Sequence, residues 1–302
     1  MSKQQKTAAP PAPAPAPAPA ANLPVERNTG ALADPALGGA FAEFGGQGFE
    51  NMGRDELAIP FLTILQSNSP QVKRSDGAYI DGAVEGMIFN NVTKELHDTA
   101  KRPLTVICCA ALHSYIEWRV REKGGGFVGE YPVDKGQAII EKCTRDDKSR
   151  EIMENGNQLN DTRTFYVLTV DDEGVPQPAV ISMTSTQIKK ARQWNMQMNL
   201  LRLKDANGRP YTPPIFASMW HLATAPESNE KGSWFGWKFD FGGYLAGRDD
   251  PLFIEALNMH KSVRAGAARA DMAESGGDGV GAPQVDPETG EIVGASDGKS
   301  DF

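Results

Sequence analysis

The chain has 302 residues, of which 40% are hydrophobic, and its formal net charge is −8. This length allows one sizeable domain or two small ones with a self-sufficient core. The absence of any run of about 18 apolar residues excludes a membrane-spanning helix. The cysteines, Cys108, Cys109 and Cys143, are odd in number, two are adjacent and no signal-peptide pattern is present. We therefore expect a soluble protein of a reducing compartment, the cytoplasm, without a disulfide framework.

The compositions of the two ends predict disorder. Residues 9–22, APPAPAPAPAPAAN, favour an extended spacer, and we place a disordered Ala/Pro-rich N-terminal segment at 1–40. Residues 271–302 hold eight acidic residues, one lysine and few bulky apolar side chains, which is typical of a disordered acidic tail. This tail carries −7 of the net charge and leaves −1 for residues 1–270. The intervening domain, 41–270, is therefore nearly neutral overall and free to carry a basic face.

Strand patterns dominate residues 41–270. Residues 56–65 are apolar, residues 85–96 predict two short strands about an Asn/Thr turn, and residues 103–120 predict one long strand. Two apolar runs, 162–170 and 175–183, flank the turn DDEG and predict a β-hairpin.

Two more strands and two helices follow in the second half. Residues 183–203 show helical spacing behind Thr184 and Ser185 as possible caps. Strands are predicted in 214–224 and 232–245. In the latter, period two places Phe235, Trp237, Phe239 and Phe241 on one face and Trp234, Lys238 and Asp240 on the other. A closing helix is predicted in 249–266, with Asp250 before Pro251 at its start and Gly266 beyond its end.

These elements predict a mainly β (α+β) fold. We expect a partly open Greek-key barrel resembling the oligonucleotide-binding (OB) fold, with an inserted helix and a C-terminal helix. Counting strands does not separate this barrel from a sandwich, which stays open as the alternative.

Catalytic patterns are absent from the sequence. The segment 122–131, EKGGGFVGEY, lacks the GK[ST] ending of a phosphate loop. It predicts a flexible hairpin loop, or a loop whose backbone approaches a phosphodiester with Phe127 and Tyr131 ready to stack. The histidines and cysteines lack zinc-ligand spacing, and the acidic clusters lie at turns or a helix cap. We therefore expect no enzyme activity, no metal and no cofactor, and a nuclease is the least favoured interpretation.

Basic side chains stand beside aromatic ones at three places in 41–270. Stacking on rings is worth about 1–3 kcal/mol per base, and Lys and Arg release counterions from phosphates. This combination favours binding of single-stranded nucleic acid. The candidate contacts are Trp118, Arg119, Arg121, Lys123, Phe127, Lys189, Lys190, Arg192, Trp194, Trp234 and Lys238.

Each aromatic candidate also has a structural interpretation. Trp118, Trp194 and Trp237 are more typical of core residues, because large rings at regular spacing usually face inward. The cations near Trp194 then form a solvated helix face. Trp234 differs, because period two sets it on the same side as Lys238 and opposite the apolar row.

The tail closes on DGKSDF, an acidic segment with one aromatic residue. With Asp301 and Phe302, and Asp297 upstream, it resembles the acidic C-termini of bacterial and phage single-stranded DNA-binding proteins. Residues 48–72, 85–93 and 180–194 are similar to phage-encoded proteins of the same description. The resemblance implies an OB barrel that holds the strand, and a tail in which these three residues recruit polymerase, helicase or primase.

The leading hypothesis is thus sequence-tolerant binding and protection of single-stranded DNA in phage replication or recombination, in the host cytoplasm. The chain is a candidate homo-oligomer. The alternative is a virion structural or assembly protein, in which the spacer and the tail only keep the chain in solution.

Overall fold

The structure is a computed structural model that describes residues 59–147, 149–229, 232–266, 268 and 270, all within the unit Glu50–Phe302. The predicted end segments, 1–40 and 271–302, lie outside these residues. The described strands are β1 (Leu62–Ile64), β2 (Ile88–Asn90), β3 (Leu96–His97), β4 (Leu104–Trp118), β5 (Phe127–Pro132), β6 (Thr144–Arg145), β7 (Glu151–Ile152), β8 (Gln158–Val170), β9 (Pro176–Thr184), β10 (Leu203–Lys204), β11 (Pro210–Tyr211), β12 (Ser218–Asn229) and β13 (Gly232–Tyr244). The described α-helices are α1 (Val133–Ile140), α2 (Gln187–Leu200) and α3 (Pro251–Arg264). None of these helices has the length and apolar character needed to cross a bilayer.

The mainly β prediction is confirmed. One antiparallel sheet has the strand order β13-β12-β4-β8-β7-β6, with β5 added to β4 and β9 added to β8. The long strand β4 pairs with β12 through Leu104–Ile107 and, further along the same edge, with β5 through Ser114–Trp118. Smaller sheets are formed by β1-β2-β3 and β10-β11.

Alternate residues of the central strands belong to two hydrophobic cores, which lie on opposite faces of the sheet. On β4, Val106 and Cys108 belong to the cluster that includes Ala191, Trp194 and Met198 of α2. The residues between and beyond them, Ile107 and Cys109, belong to the cluster that includes Ala256, Met259 and Val263 of α3. The period of two along β4 thus places one helix on each face of the sheet.

The described strands do not close into a barrel. On one side, β1 approaches β9 through a single parallel bridge between Phe61 and Val180. On the other side, the Gln66 amide donates to the Phe235 carbonyl at 2.9 Å and accepts from the Phe235 N–H at 2.8 Å. A side chain therefore occupies the place that a neighbouring strand has in a closed barrel.

Several predicted elements are confirmed, including one hairpin and the last helix, whose bounds lie within four residues of the predicted ones. The hairpin β8–β9 pairs from Val170 and Pro176 back to Thr162 and Thr184. Asp250 caps α3 by accepting the Leu252 N–H at 2.9 Å.

Other predictions were wrong. The N-cap of α2 is Thr186, whose side chain makes no capping bond, and neither Thr184 nor Ser185 takes that role. Thr184 still belongs to β9, while Ser185 takes a positive φ of 48°, so the chain turns before the helix begins. Helix α1 was not predicted at all, because it has only eight residues and includes Gly136, a poor helix former.

Candidate nucleic-acid interface

The hairpin β4–β5 carries the first group of predicted residues. Trp118 ends β4 and Phe127 begins β5, and the two are cross-strand partners whose ring centroids lie 5.8 Å apart at 75°. Both rings are half-buried against the α3-side core. Arg119 and Lys123 of the connecting loop are exposed. The loop thus presents cations beside two partly accessible rings, and we call Trp118, Arg119, Lys123 and Phe127 the loop patch.

Three consecutive glycines shape this loop. Gly124, Gly125 and Gly126 have φ values of 96°, 63° and 109°, a region that other residues rarely adopt. The hairpin interpretation of the glycine-rich segment is therefore confirmed, with the glycines required by backbone conformation. Arg121 begins a short 3-10 turn in the loop, but its side chain lies outside the described part of the structure.

A buried carboxylate anchors the hairpin. Glu117 is 2% exposed and accepts hydrogen bonds from Tyr131 Oη at 2.5 Å, Asn155 Nδ2 at 2.8 Å and Asn157 Nδ2 at 2.5 Å. Burial alone raises the pKa of a carboxyl group, but these three donors stabilise the anion and lower the pKa of Glu117 overall. The carboxylate therefore ties β5 and the β7–β8 turn to β4, directly beside the loop patch.

Helix α2 separates an apolar face from a basic one. Ala191, Trp194 and Met198 recur at helical spacing and are buried. Lys189 precedes Ala191 and Arg192 follows it. Both are exposed, and neither has an ion-pair partner among the described residues. This face of the helix offers two free positive charges.

Trp194 is a core residue, as the structural interpretation of its helical spacing predicted. Its exposed fraction is 0%, and its ring stacks on Phe239 at 4.3 Å and 9°. Phe165 and Trp220 cover it further, at centroid distances of 4.7 and 6.1 Å. Because the ring is enclosed by other rings, it has no face free for a base in this structure, and its inclusion among the candidate contacts is corrected.

Trp234 is half-buried and held by a carboxylate. Its indole N–H donates to Glu227 Oε2 at 3.1 Å, and Glu227 Oε1 forms an ion pair with Lys190 of α2. A Cβ at Gly236 would lie 2.8 Å from the Glu227 carboxyl carbon, so only glycine leaves room for this arrangement. Glu227 thus fixes the ring of Trp234 and neutralises Lys190, one of the predicted phosphate contacts.

Lys238 is exposed on β13, as predicted, and its Nζ lies 2.7 Å from Asp240 Oδ2. Both side chains are more than half exposed, and such surface pairs are worth little in water. The ammonium group is therefore still available to a phosphate. We call Lys189, Lys190, Arg192, Trp234 and Lys238 the helix patch.

The two patches are not brought together. The loop patch lies where β4 pairs with β5, whereas the helix patch lies near β12–β13, which joins the opposite end of β4. Ile107 and Ser114, the facing ends of the two pairing regions of β4, are seven residues apart, which corresponds to about 24 Å at 3.4 Å per residue. The predicted tail contacts Asp297, Asp301 and Phe302 lie outside the described residues.

Exposed rings near the end of β13 were not predicted from the sequence. Phe241 was predicted in the inward row, but it is 44% exposed and contacts Trp220 and Tyr244 edge-on. It lies beyond Phe239, the last residue of the row that packs under Trp194. Tyr211, which no pattern singled out, is 46% exposed on the small β10–β11 hairpin.

Comparison with known proteins identifies the family. Residues 28–269 match the family model described as Pam3 phage gp34-like protein. The chain belongs to this family. The match covers more than half of the chain and includes both patches, and it indicates a phage protein. No curated protein and no solved structure matches the chain.

Proposed function

We propose that this protein binds single-stranded DNA with little sequence preference during phage DNA replication or recombination. The observation that carries the proposal is the helix patch. Its exposed Lys189 and Arg192 lie on the helix whose Lys190 pairs with Glu227, the carboxylate that also holds the half-buried ring of Trp234, and its exposed Lys238 lies on the same strand as Trp234. Stacking on rings and neutralisation of phosphates are the two forces that hold an unpaired strand without reading its sequence. The protein acts by binding and protection, without catalysis.

The members of the two patches have different parts in this proposal. Lys189 and Arg192 contact phosphates, because they are exposed and unpaired among the described residues. Lys190 contributes less, because Glu227 already neutralises it. Trp234 stacks on a base, and the loop patch extends the same kind of surface with Arg119 and Lys123.

We further propose that the curved sheet is an OB-like, partly open barrel. The bridge between Phe61 and Val180 and the Gln66 contact to β13 support this interpretation, since both bring the margins of the large sheet toward β1. In this arrangement the helix patch lies at the unclosed side of the barrel.

The acidic segment 271–302 completes the proposal. Its Asp297, Asp301 and Phe302 recruit a replication protein such as a polymerase, helicase or primase, whose basic and apolar pocket suits an acidic segment with an aromatic residue. The charge of −7 in this segment also disfavours its own binding to DNA.

Tryptophan fluorescence tests the proposal directly. Titration with oligo(dT) should quench the emission, and mainly that of Trp234 and Trp118, because Trp194, Trp220 and Trp237 are buried. The variant Trp234→Phe should therefore lose the Trp234 part of the quenching signal and keep the part that comes from Trp118. The affinity should fall steeply with salt, as expected when phosphates are neutralised.

Variants that remove positive charges should change the salt dependence of DNA affinity by a predictable amount. Single strands contribute a salt slope of about −0.7 per phosphate contact, so Lys189→Ala with Arg192→Ala should reduce the slope by about 1.4. Lys101→Ala is the matched control, since Lys101 is an exposed lysine in the turn before β4, outside both patches. If the wild-type chain shows no oligonucleotide binding at low salt, the proposal is wrong and the virion or assembly role takes its place.

A further inference from the structure

Two aromatic rings in contact lie at the end of β13 beside an arginine, and a third ring, that of Tyr211, is next in sequence to a residue that the arginine contacts. The rings of Phe241 and Tyr244 lie 5.1 Å apart at 69°, and Tyr244 Oη donates to the Arg202 carbonyl at 3.3 Å. Arg202 Nη1 in turn donates to Thr212 Oγ1 at 2.8 Å, next to Tyr211. We call Phe241, Tyr244, Tyr211 and Arg202 the terrace.

The terrace is open to solvent although its rings are large. Phe241 and Tyr211 are 44% and 46% exposed, and Tyr244 is half-buried. Single exposed apolar residues are common on protein surfaces, whereas the contact between Phe241 and Tyr244, with the exposed Tyr211 nearby in the fold, gives a larger apolar surface of the kind that ligands bind. The rings are also held in place, because Phe241 packs edge-on against the buried Trp220 at 5.6 Å.

Arg202 is held rigidly at this surface. Its Nη1 donates to the Asn199 and Leu201 carbonyls at 2.6 and 2.8 Å, close to the C-terminal end of α2, as well as to Thr212. A cation at the C-terminal end of a helix is favoured by the helix dipole. The three acceptors share the two N–H groups of Nη1, and the other guanidinium nitrogens have no hydrogen-bond partner among the described residues, so they are available to a ligand anion on this exposed side chain.

The charges around the terrace favour a polyanion. Arg202, Lys204 and Arg209 are exposed there, against Asp205 in the β10–β11 turn. Asp205 Oδ1 accepts the backbone N–H groups of Asn207 and Arg209, both at 2.8 Å, which shapes the turn. Cations bind phosphates and aromatic rings stack on bases, so this combination of side chains suits a nucleic acid.

We infer that the terrace is a second base-stacking site for single-stranded nucleic acid, with Phe241, Tyr244 and Tyr211 contacting bases and Arg202 and Lys204 contacting phosphates. The inference rests on the proposed function and adds a contact region that is separate from the helix patch. Phe241 and Trp234 stand seven residues apart on β13, which corresponds to about 24 Å at 3.4 Å per residue. A strand that occupies both sites is therefore longer than one that occupies either site alone.

Paired variants test the terrace. Tyr211→Ala removes an exposed ring from a two-residue strand, and Phe241→Leu keeps an apolar contact with Trp220 while removing the aromatic face. Each lost stacking contact should weaken the binding of a long oligo(dT) by about 5- to 150-fold. The double variant should therefore bind more weakly than the wild type, with little change in the salt slope of its affinity. Leu200→Ala is the matched control, because Leu200 is 62% exposed, lies near Arg202 and has no ring to stack. Its affinity should equal that of the wild type.

The outcomes separate this inference from the proposed function. If the wild type and the double variant bind oligo(dT) equally well, the terrace inference is wrong and the proposed function stands. If neither binds, the proposed function fails and the terrace inference fails with it. If the double variant keeps its oligo(dT) affinity but sediments as a smaller species than the wild type, the terrace is a contact between chains, which also overturns the inference. Circular dichroism confirms that each variant is folded.

Discussion

Replacement of Trp194 by alanine should lower the free energy of unfolding by about 3–5 kcal/mol, the usual cost of emptying a buried Trp site. The packing of Trp194 places the loss of unfolding free energy toward the upper end of this range. The ring is fully buried, lies parallel to Phe239 at 4.3 Å and contacts Phe165 at 4.7 Å. Aromatic pairs of this kind add about 0.5–1.5 kcal/mol each beyond the area that they bury.

One feature of the same residue acts in the opposite direction. The Trp194 indole N–H is buried and has no hydrogen-bond partner among the described residues. A buried unbonded polar group costs about 1–3 kcal/mol, so Trp194→Phe, which removes the N–H but keeps a ring, should lose much less stability than Trp194→Ala.

Urea unfolding followed by far-UV circular dichroism measures both losses, and oligo(dT) titration of the folded variants measures binding. We expect Trp194→Ala to shift the unfolding midpoint strongly and, while folded, to bind DNA as the wild type does. Trp234→Ala is the comparison, because this half-buried ring should affect binding more than stability. A Trp194→Ala variant that unfolds at the wild-type midpoint and loses DNA affinity would contradict the core assignment, since the ring would then contact the ligand.

Three further predictions concern stability and the tail. The folded state lowers the pKa of Glu117, so its contribution is fully present above the unfolded value of about 4.3 and is lost as the pH falls through the folded-state pKa. Urea midpoints should therefore fall more steeply below pH 5 for the wild type than for Glu117→Gln, and parallel curves would contradict this. Gly86→Ala should cost at least about 1–3 kcal/mol in thermal unfolding, because φ is 85° and the new Cβ would lie 2.7 Å from a phenylalanine ring. Gly77→Ala, with open space around it, should be nearly neutral. Deletion of residues 271–302 removes a charge of −7, so oligo(dT) affinity should stay equal or rise, and a weaker affinity would show that the tail has another role.

Local patterns predicted the elements whose signals lie within a few residues of one another. The hairpin β8–β9 follows from two apolar runs about a glycine-containing turn, and α3 follows from Asp250 before Pro251. These signals need no distant contact. The same holds for the exposure of Lys189 and Arg192, because helical spacing alone sets them opposite the buried face of α2.

Features that depend on distant contacts were not predictable. Helix α1 contains Gly136 because Tyr115 of β4 lies against it, and a Cβ there would be only 2.2 Å from the Tyr115 ring. Nothing within the helix sequence reveals that neighbour. The spacing within α2 does predict a core position for Trp194, but it does not show that Phe165 and Phe239, from two other strands, are the rings that enclose it.

The electrostatics of the helix patch show the same limit. Sequence places Lys190 in a run of cations, but its partner Glu227 comes from a strand 37 positions further along. Because that carboxylate also holds Trp234, the pair of a cation and a ring is assembled only by the tertiary structure. Period two along β13 placed Trp234 and Lys238 on one side and gave no indication of Glu227.

The Gln66 amide has a consequence for self-association. A strand at the margin of a sheet offers its backbone groups to any passing chain and invites unwanted pairing. By bonding both the N–H and the carbonyl of Phe235, Gln66 withdraws these groups from such exchange at this point of β13. This bonding disfavours edge-to-edge pairing of β13 between molecules at high protein concentration. Replacement of Gln66 would expose the Phe235 backbone groups to such pairing.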